Sequence, residues 1–211
     1  MGEMIPTALP RGFLGYDETL PLAEFNLSKS VQEFKLAFGG EVWEKGFKMQ
    51  LVYNSGNKTR ETVMEMLAYF IGSLNPLFRV ETISLQLPSL FKAQQSGWIP
   101  VVMASWMHDY CDPDNYVVPF YSSQGTYAIL RGQAYREWAA ANVDEDIDAA
   151  RSTVDISVRE ELYREIQEKI IEAVVGIPVY LMHSYHVRST RVSGWFPNQA
   201  RFGDYYYDLS K

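Results

Sequence analysis

The sequence predicts an α/β protein with a mixed, mostly parallel sheet flanked by helices. Between about residues 47 and 106, apolar runs of strand length alternate with stretches of helical periodicity, giving strand, helix, strand, helix, strand. The connections between those runs are long enough for parallel crossovers. At 211 residues, with 47% hydrophobic and 21% charged residues, the chain can bury a substantial core and does not have the composition of a disordered segment.

Residues 1–27 carry Pro6, Pro10, Pro21, Gly12 and Gly15 without sustained periodicity and read as an extended lead-in. Ser28 is the expected N-cap of a helix to about Phe38, with Val31, Phe34 and Phe38 on one face and Gly39-Gly40 ending it. Alternation from Phe47 to Tyr53 predicts a strand, and Asn54 to Asn57 a turn. The following helix reaches about Leu74, with Val63, Met66, Leu67, Phe70, Ile71 and Leu74 as its buried stripe. Phe78 to Leu85 is the second strand, Pro88 to Gln95 a short helix, and Pro100 to Trp106 the third strand. Further helices are expected from Arg131 to about Ala150 and from Asp155 to about Val175. The latter should bury Leu162, Ile166, Ile170, Val174 and the stem of Lys169. Ile177 to Met182 reads as a last strand, so that 28–187 forms one lobe and 188–211 an aromatic tail. That tail carries Trp195, Phe196, Phe202 and Tyr205-Tyr206-Tyr207.

A net charge of −7 disfavours nucleic acid or an anionic membrane as partner. Cys111 is the only cysteine, so an intrachain disulfide is excluded. The first residues have neither the basic start nor the apolar stretch of a signal peptide, which leaves a cytosolic location or an export signal outside this chain. The sequence holds no Gly-x-x-x-x-Gly-Lys phosphate loop, no Gly-x-Gly-x-x-Gly and no Gly-x-Ser-x-Gly elbow. His108 with Cys111 and His183 with His186 are incomplete ligand sets far apart in sequence, so no metal and no cofactor are expected.

The most informative stretch runs from Ile99 to Tyr116. An apolar run ends at Trp106, and acidic and aromatic side chains follow at once. Ligands of open α/β sheets collect beyond the carboxyl ends of the strands. Asp109, three residues past that run, is therefore the leading candidate for a ligand contact. Turn and cap chemistry accounts for Asp112 before Pro113, and Asp114 or Asn115 is the expected cap of the following helix. Asp109 and Asp112 also admit a second reading, the paired carboxylates of a carbohydrate-active enzyme. A third is an interaction domain docking a partner through its aromatic tail.

The order of segments resembles the C-terminal portion of the family 5 extracellular solute-binding proteins, the oligopeptide, dipeptide and nickel receptors of ABC importers. The resemblance rests on Pro10 to Tyr16-Asp17, Phe47 to Asn57 with Arg60 after it, and Trp106-x-x-Asp109-Tyr110-x-Asp112-Pro113-x-Asn115. Arg159-x-x-Leu162-Tyr163-x-x-x-Gln167, Ile177-Pro178-Val179 and the aromatic tail complete it. Members are normally more than twice this length, so the resemblance implies a periplasmic-binding-protein-like lobe, with the tail packing towards the other lobe. It implies a non-catalytic protein that binds a peptide or similar small polar solute by two-lobe closure, at the periplasmic or extracellular face of the membrane. A membrane permease would be its protein partner.

The same resemblance assigns Asp109 to the ligand's α-ammonium group, Trp106 and Tyr110 to the walls beside it, and Arg60 to a ligand carboxylate. His108 also falls within this site, although His108 and Cys111 stand where the family often has small residues.

Overall fold

The computed structural model describes residues 2–183, 185–197 and 205–211. Its elements in chain order begin with β1 (Gly2–Glu3), α1 (Leu27–Leu36), α2 (Glu41–Lys45), β2 (Phe47–Asn54), α3 (Lys58–Leu74) and β3 (Phe78–Leu85). They continue with α4 (Leu87–Gln95), β4 (Val101–Val102), α5 (Asp114–Tyr121), α6 (Gln133–Asn142), α7 (Asp144–Ser152), α8 (Ile156–Ala173) and β5 (Leu181–Met182). They form two compact units, one of 24–105 and one of 1–23 with 106–211. Residues 1–23 of the lead-in fall in the same unit as 106–211.

In the 24–105 unit, β2 is the centre of a parallel sheet ordered β3-β2-β4. β2 and β3 pair along their full length, from Phe47 opposite Phe78 to Asn54 opposite Leu85. The central strand is the most deeply buried, with Leu51, Val52 and Tyr53 inaccessible or nearly so. α3 is the crossover, started by Asn57, whose side chain accepts the Arg60 backbone N–H. Its deepest residue is Met64, with Leu67 and Ala68 beside it against Leu51 and Tyr53. Of the expected stripe, Val63, Leu67, Phe70, Ile71 and Leu74 are at least half-buried, whereas Met66 is exposed and Met64 takes the deepest position. α1 starts at Asn26 rather than Ser28, since Asn26 Oδ1 accepts the Lys29 N–H. It ends at Leu36, because Phe38 turns left-handed (φ 51°) and points into solvent.

β4 is only two residues long, shorter than the predicted Pro100–Trp106 strand. After the Met103 N–H reaches Val52 O, the backbone leaves the sheet. The predicted last strand is also mostly irregular: β5 pairs antiparallel with β1, and Ile177 is exposed.

The other unit is helical around Val117, Tyr121, Ala139, Val143, Ile147, Ala150, Tyr163, Ile166 and Ile170. The lead-in belongs to this core. Thr7 and Leu9 are fully buried, and the Thr7 hydroxyl donates to Gln167 Oε1 at 2.8 Å. Gln167 Nε2 donates in turn to the carbonyls of Gly15 (2.6 Å) and Tyr163 (3.0 Å). Gly15, at φ 76°, is required there: a Cβ would fall 2.5 Å from Tyr163 Cβ.

The expected Arg131–Ala150 helix is two helices, α6 and α7, broken at Val143. Asp144 accepts both the backbone N–H (2.9 Å) and the hydroxyl (2.5 Å) of Ser123, and Asp144, Glu145 and Asp146 suit a helix N-terminus. α8 starts as expected on Asp155, which accepts the N–H groups of Ser157 and Val158. It buries Tyr163 and Gln167 with Ile166 and Ile170. Lys169 and Val174 are exposed, and Val174 caps the helix in a left-handed conformation.

Candidate functional site

The Trp106 to Asn115 segment is an irregular loop ahead of α5, so Asp109 lies well beyond the strand end expected to carry it. Its order comes from side chains. Asn115, only 5% exposed, faces back from the first turn of α5. Its Oδ1 accepts the Asp109 backbone N–H at 3.0 Å and the Trp106 indole N–H at 3.2 Å. The Trp106 ring meets Phe120 and Tyr127 edge-on. The Asp109 side chain remains exposed.

Asp112 is committed to the fold. Its Oδ1 accepts from Arg159 Nη2 at 2.7 Å and from the Asp114 backbone N–H at 3.1 Å. Arg159 also donates from Nε to Ala150 O (2.8 Å) and from Nη2 to the Tyr163 hydroxyl (3.3 Å). Burial pushes the Asp112 carboxyl up, but Arg159 and the Asp114 N–H outweigh it and hold the group below the ordinary carboxylate range. A carboxylate held in this way is ill suited to serve as a general acid. Neither Asp114 nor Asn115 caps α5, contrary to expectation; Asp112 receives the first N–H and Pro113 occupies the cap position.

Asp114 accepts from the Tyr110 hydroxyl at 3.1 Å and pairs with Arg151 at 3.5 Å, while its Oδ1 is buried without a hydrogen-bond partner. Burial, then the neighbouring Asp112, raises its carboxyl above the ordinary value. These groups line a cleft of about 520 Å³ together with Asp148. Of the expected ligand residues Tyr110 lines this cleft, and Asp109 does not.

His108 is half-buried, with Nδ1 3.1 Å from the Tyr116 hydroxyl and Phe13 edge-on to its ring at 5.2 Å. Among the described residues no group of three or more His, Cys, Asp or Glu side chains is arranged to hold a metal. Phe202 of the aromatic tail lies outside the described residues.

Arg60 belongs to the other unit. Its guanidinium donates to Asn54 Oδ1 at 2.7 Å and Ser105 Oγ at 2.5 Å, so it is fixed at the carboxyl end of β2 rather than loose in solvent. Trp106 and Asp109 are thus joined through Asn115, Tyr110 is tied to Asp114, and His108 joins an aromatic cluster. The sequence suggested only a capping role for Asn115 and no role in the site for Arg159. The signal was present in the Asp-Pro-x-Asn spacing and in the Arg-x-x-Leu-Tyr-x-x-x-Gln run.

No family model matches the chain. A dipeptide-binding protein of Pseudomonas aeruginosa is 24% identical over 209 residues, which is 96% of this chain and 38% of that protein. The chain is thus similar to part of peptide-binding solute-binding proteins. Solved structures agree on the fold. A Pseudoalteromonas dipeptide binding protein in complex with Met-Leu superposes with TM-score 0.75 at 18% identity, over 100% of this chain and 40% of that one. The Helicobacter pylori periplasmic binding protein DppA, in complex with the peptide STSA, gives 0.74 at 19% identity over 99% and 39%. The chain spans about two fifths of the length of the relatives it matches. Those relatives are named as binding proteins. No helix among the described residues is long and apolar enough to cross a membrane.

Proposed function

We propose that the chain forms part of a peptide receptor of an ABC importer and acts by binding, not catalysis. The observation that carries this reading is the alignment of 96% of the chain with a dipeptide-binding protein. In this reading Asp109 receives the α-ammonium group of a peptide, and Trp106, Tyr110 and His108 form the surroundings of the ligand's first residue. Arg60 is the group available for a carboxylate. The receptor works at the periplasmic or extracellular face and closes two lobes on its ligand, and the closed form is what a membrane permease recognises.

Electrostatics favours closure. Opposite unit charges ~4 Å apart attract by about 1 kcal/mol in water and about 4 kcal/mol at an effective dielectric near 20. An exposed Asp109 is thus a weak site until water is excluded.

Calorimetric titration with Met-Leu and its N-acetyl derivative tests the reading. In a receptor able to close, Asp109→Asn is expected to weaken Met-Leu by roughly 2–5 kcal/mol. In this chain alone the loss is expected to be about 0–1 kcal/mol, since the pair stays in water. The acetylated peptide, lacking the ammonium group, should bind poorly and respond little to the substitution. Equal binding of the two peptides, or unchanged Met-Leu affinity in the closing receptor, would refute the assignment.

A further inference from the structure

We infer that Asn115 is the positioning residue of this site, holding Trp106 and Asp109 in one fixed arrangement through a single amide oxygen; the inference rests on the ligand-binding reading above. A side-chain carbonyl oxygen has two lone pairs and can accept two hydrogen bonds. Asn115 Oδ1 receives both, from the Asp109 backbone N–H at 3.0 Å and from Trp106 Nε1 at 3.2 Å. One donor is main chain and the other is an aromatic side chain. The two therefore fix the course of the backbone at Asp109 and the orientation of the indole relative to it.

The amide is nearly inaccessible to water, which leaves little competition for its lone pairs. It is also carried on the first turn of α5, two residues before the fully buried Val117, and so sits on a rigid element rather than on the loop it organises. A second fastening acts further along, where Asp112 is held by Arg159 of α8. Between these ties Met107, Asp109, Tyr110 and Cys111 are all exposed, so packing contributes little to ordering them.

The residue type matters at this position. Aspartate keeps an acceptor oxygen and leucine keeps the volume, whereas alanine keeps neither. Hydrogen exchange read by NMR distinguishes positioning from general stability, because exchange reports the local opening of each N–H. In the Asn115→Ala variant the Asp109 amide and the Trp106 indole N–H are expected to exchange about tenfold faster or more. The Ile166 and Ile170 amides of α8 should keep their wild-type rates. Asn115→Asp should restore slow exchange at both loop sites. Asn115→Leu, which fills the space without an acceptor, should behave like the alanine variant and serves if that variant does not fold.

Unchanged protection at Asp109 and Trp106 in Asn115→Leu or Asn115→Ala would overturn the inference. So would exchange that speeds equally throughout the unit, or an aspartate variant as fast as the alanine one. Titration with Met-Leu separates this inference from the reading beneath it. Wild-type receptor that ignores the dipeptide, with the local exchange pattern intact, sinks the peptide-receptor reading and supports the positioning role. Wild-type receptor that binds it with the same affinity as Asn115→Ala overturns the positioning role. The expected result is an affinity lowered about tenfold in Asn115→Ala and recovered in Asn115→Asp, the scale of one lost hydrogen bond.

Discussion

Replacing Asp112 by alanine removes the tie between the candidate loop and α8, and the structure sets the size of the effect. Oδ1 accepts one charge-assisted bond from Arg159 and one from the Asp114 backbone N–H. Both end on a charged carboxylate, and bonds to charged groups contribute about 1.5–3 kcal/mol each. The side chains of Arg159 and Asp112 are 20% and 28% exposed, so the pair is more buried than a surface bridge of about 0–1 kcal/mol. Arg159 keeps Ala150 O and the Tyr163 hydroxyl as partners, which limits the cost of stranding its charge.

The expected loss is about 3 kcal/mol, read as a fall in Tm of roughly 6–12 °C at ~2–4 °C per kcal/mol. Its pH dependence follows from the sign of the Asp112 shift. A carboxyl held below its ordinary value of 3.8 contributes stability that is fully present above that value. The contribution is lost as pH falls through the lower, folded-state value. Melting curves of wild type and Asp112→Ala should therefore stay apart from neutral pH down to about 4 and converge below it. A gap that persists unchanged into strong acid would show that Asp112 acts by packing and not by charge.

Gln167→Leu should be costly although leucine fits a core, because it strips a partner from the buried Thr7 hydroxyl and from the Gly15 carbonyl. Roughly 2–6 kcal/mol is expected, measured by urea unfolding. Leu51→Ala in β2 should cost about 2–5 kcal/mol by leaving a cavity against Met64 and Tyr53; a urea midpoint that does not move would count against this core. Gly46→Ala should lose at least about 1 kcal/mol. Gly46 has φ 70°, and a Cβ there would lie 2.4 Å from the Leu77 carbonyl oxygen, so wild-type stability in that variant would contradict the backbone described.

Much of the fold was legible because it follows from local rules. The β2–α3–β3 crossover is marked by alternation in Phe47–Tyr53, a turn at Asn54–Asn57 and a periodic helix, all features of neighbouring residues. α8 was legible for the same reason, through Asp155 at its start. What failed was decided by distant partners. Val143 breaks a helix-forming stretch next to Asp144, which is engaged by Ser123, and Met66 yields its place to Met64 because the β2 strand selects which face of α3 is covered. Asn115 reads as a helix cap in sequence but acts as an acceptor for the loop behind it.

The sequence alone determined the α/β class, the order of the central elements and the place of the carboxylate-rich segment after the third strand. Periodicity, capping and turn residues act over a few positions and can be read in one dimension. Only the tertiary structure decided that the lead-in closes the helical core through Thr7 and Gln167, that Asp112 serves Arg159, and that Trp106 and Asp109 share one amide oxygen. Each of those outcomes depends on satisfying buried or half-buried polar groups, whose partners lie as close as six residues along the chain or as far as 160.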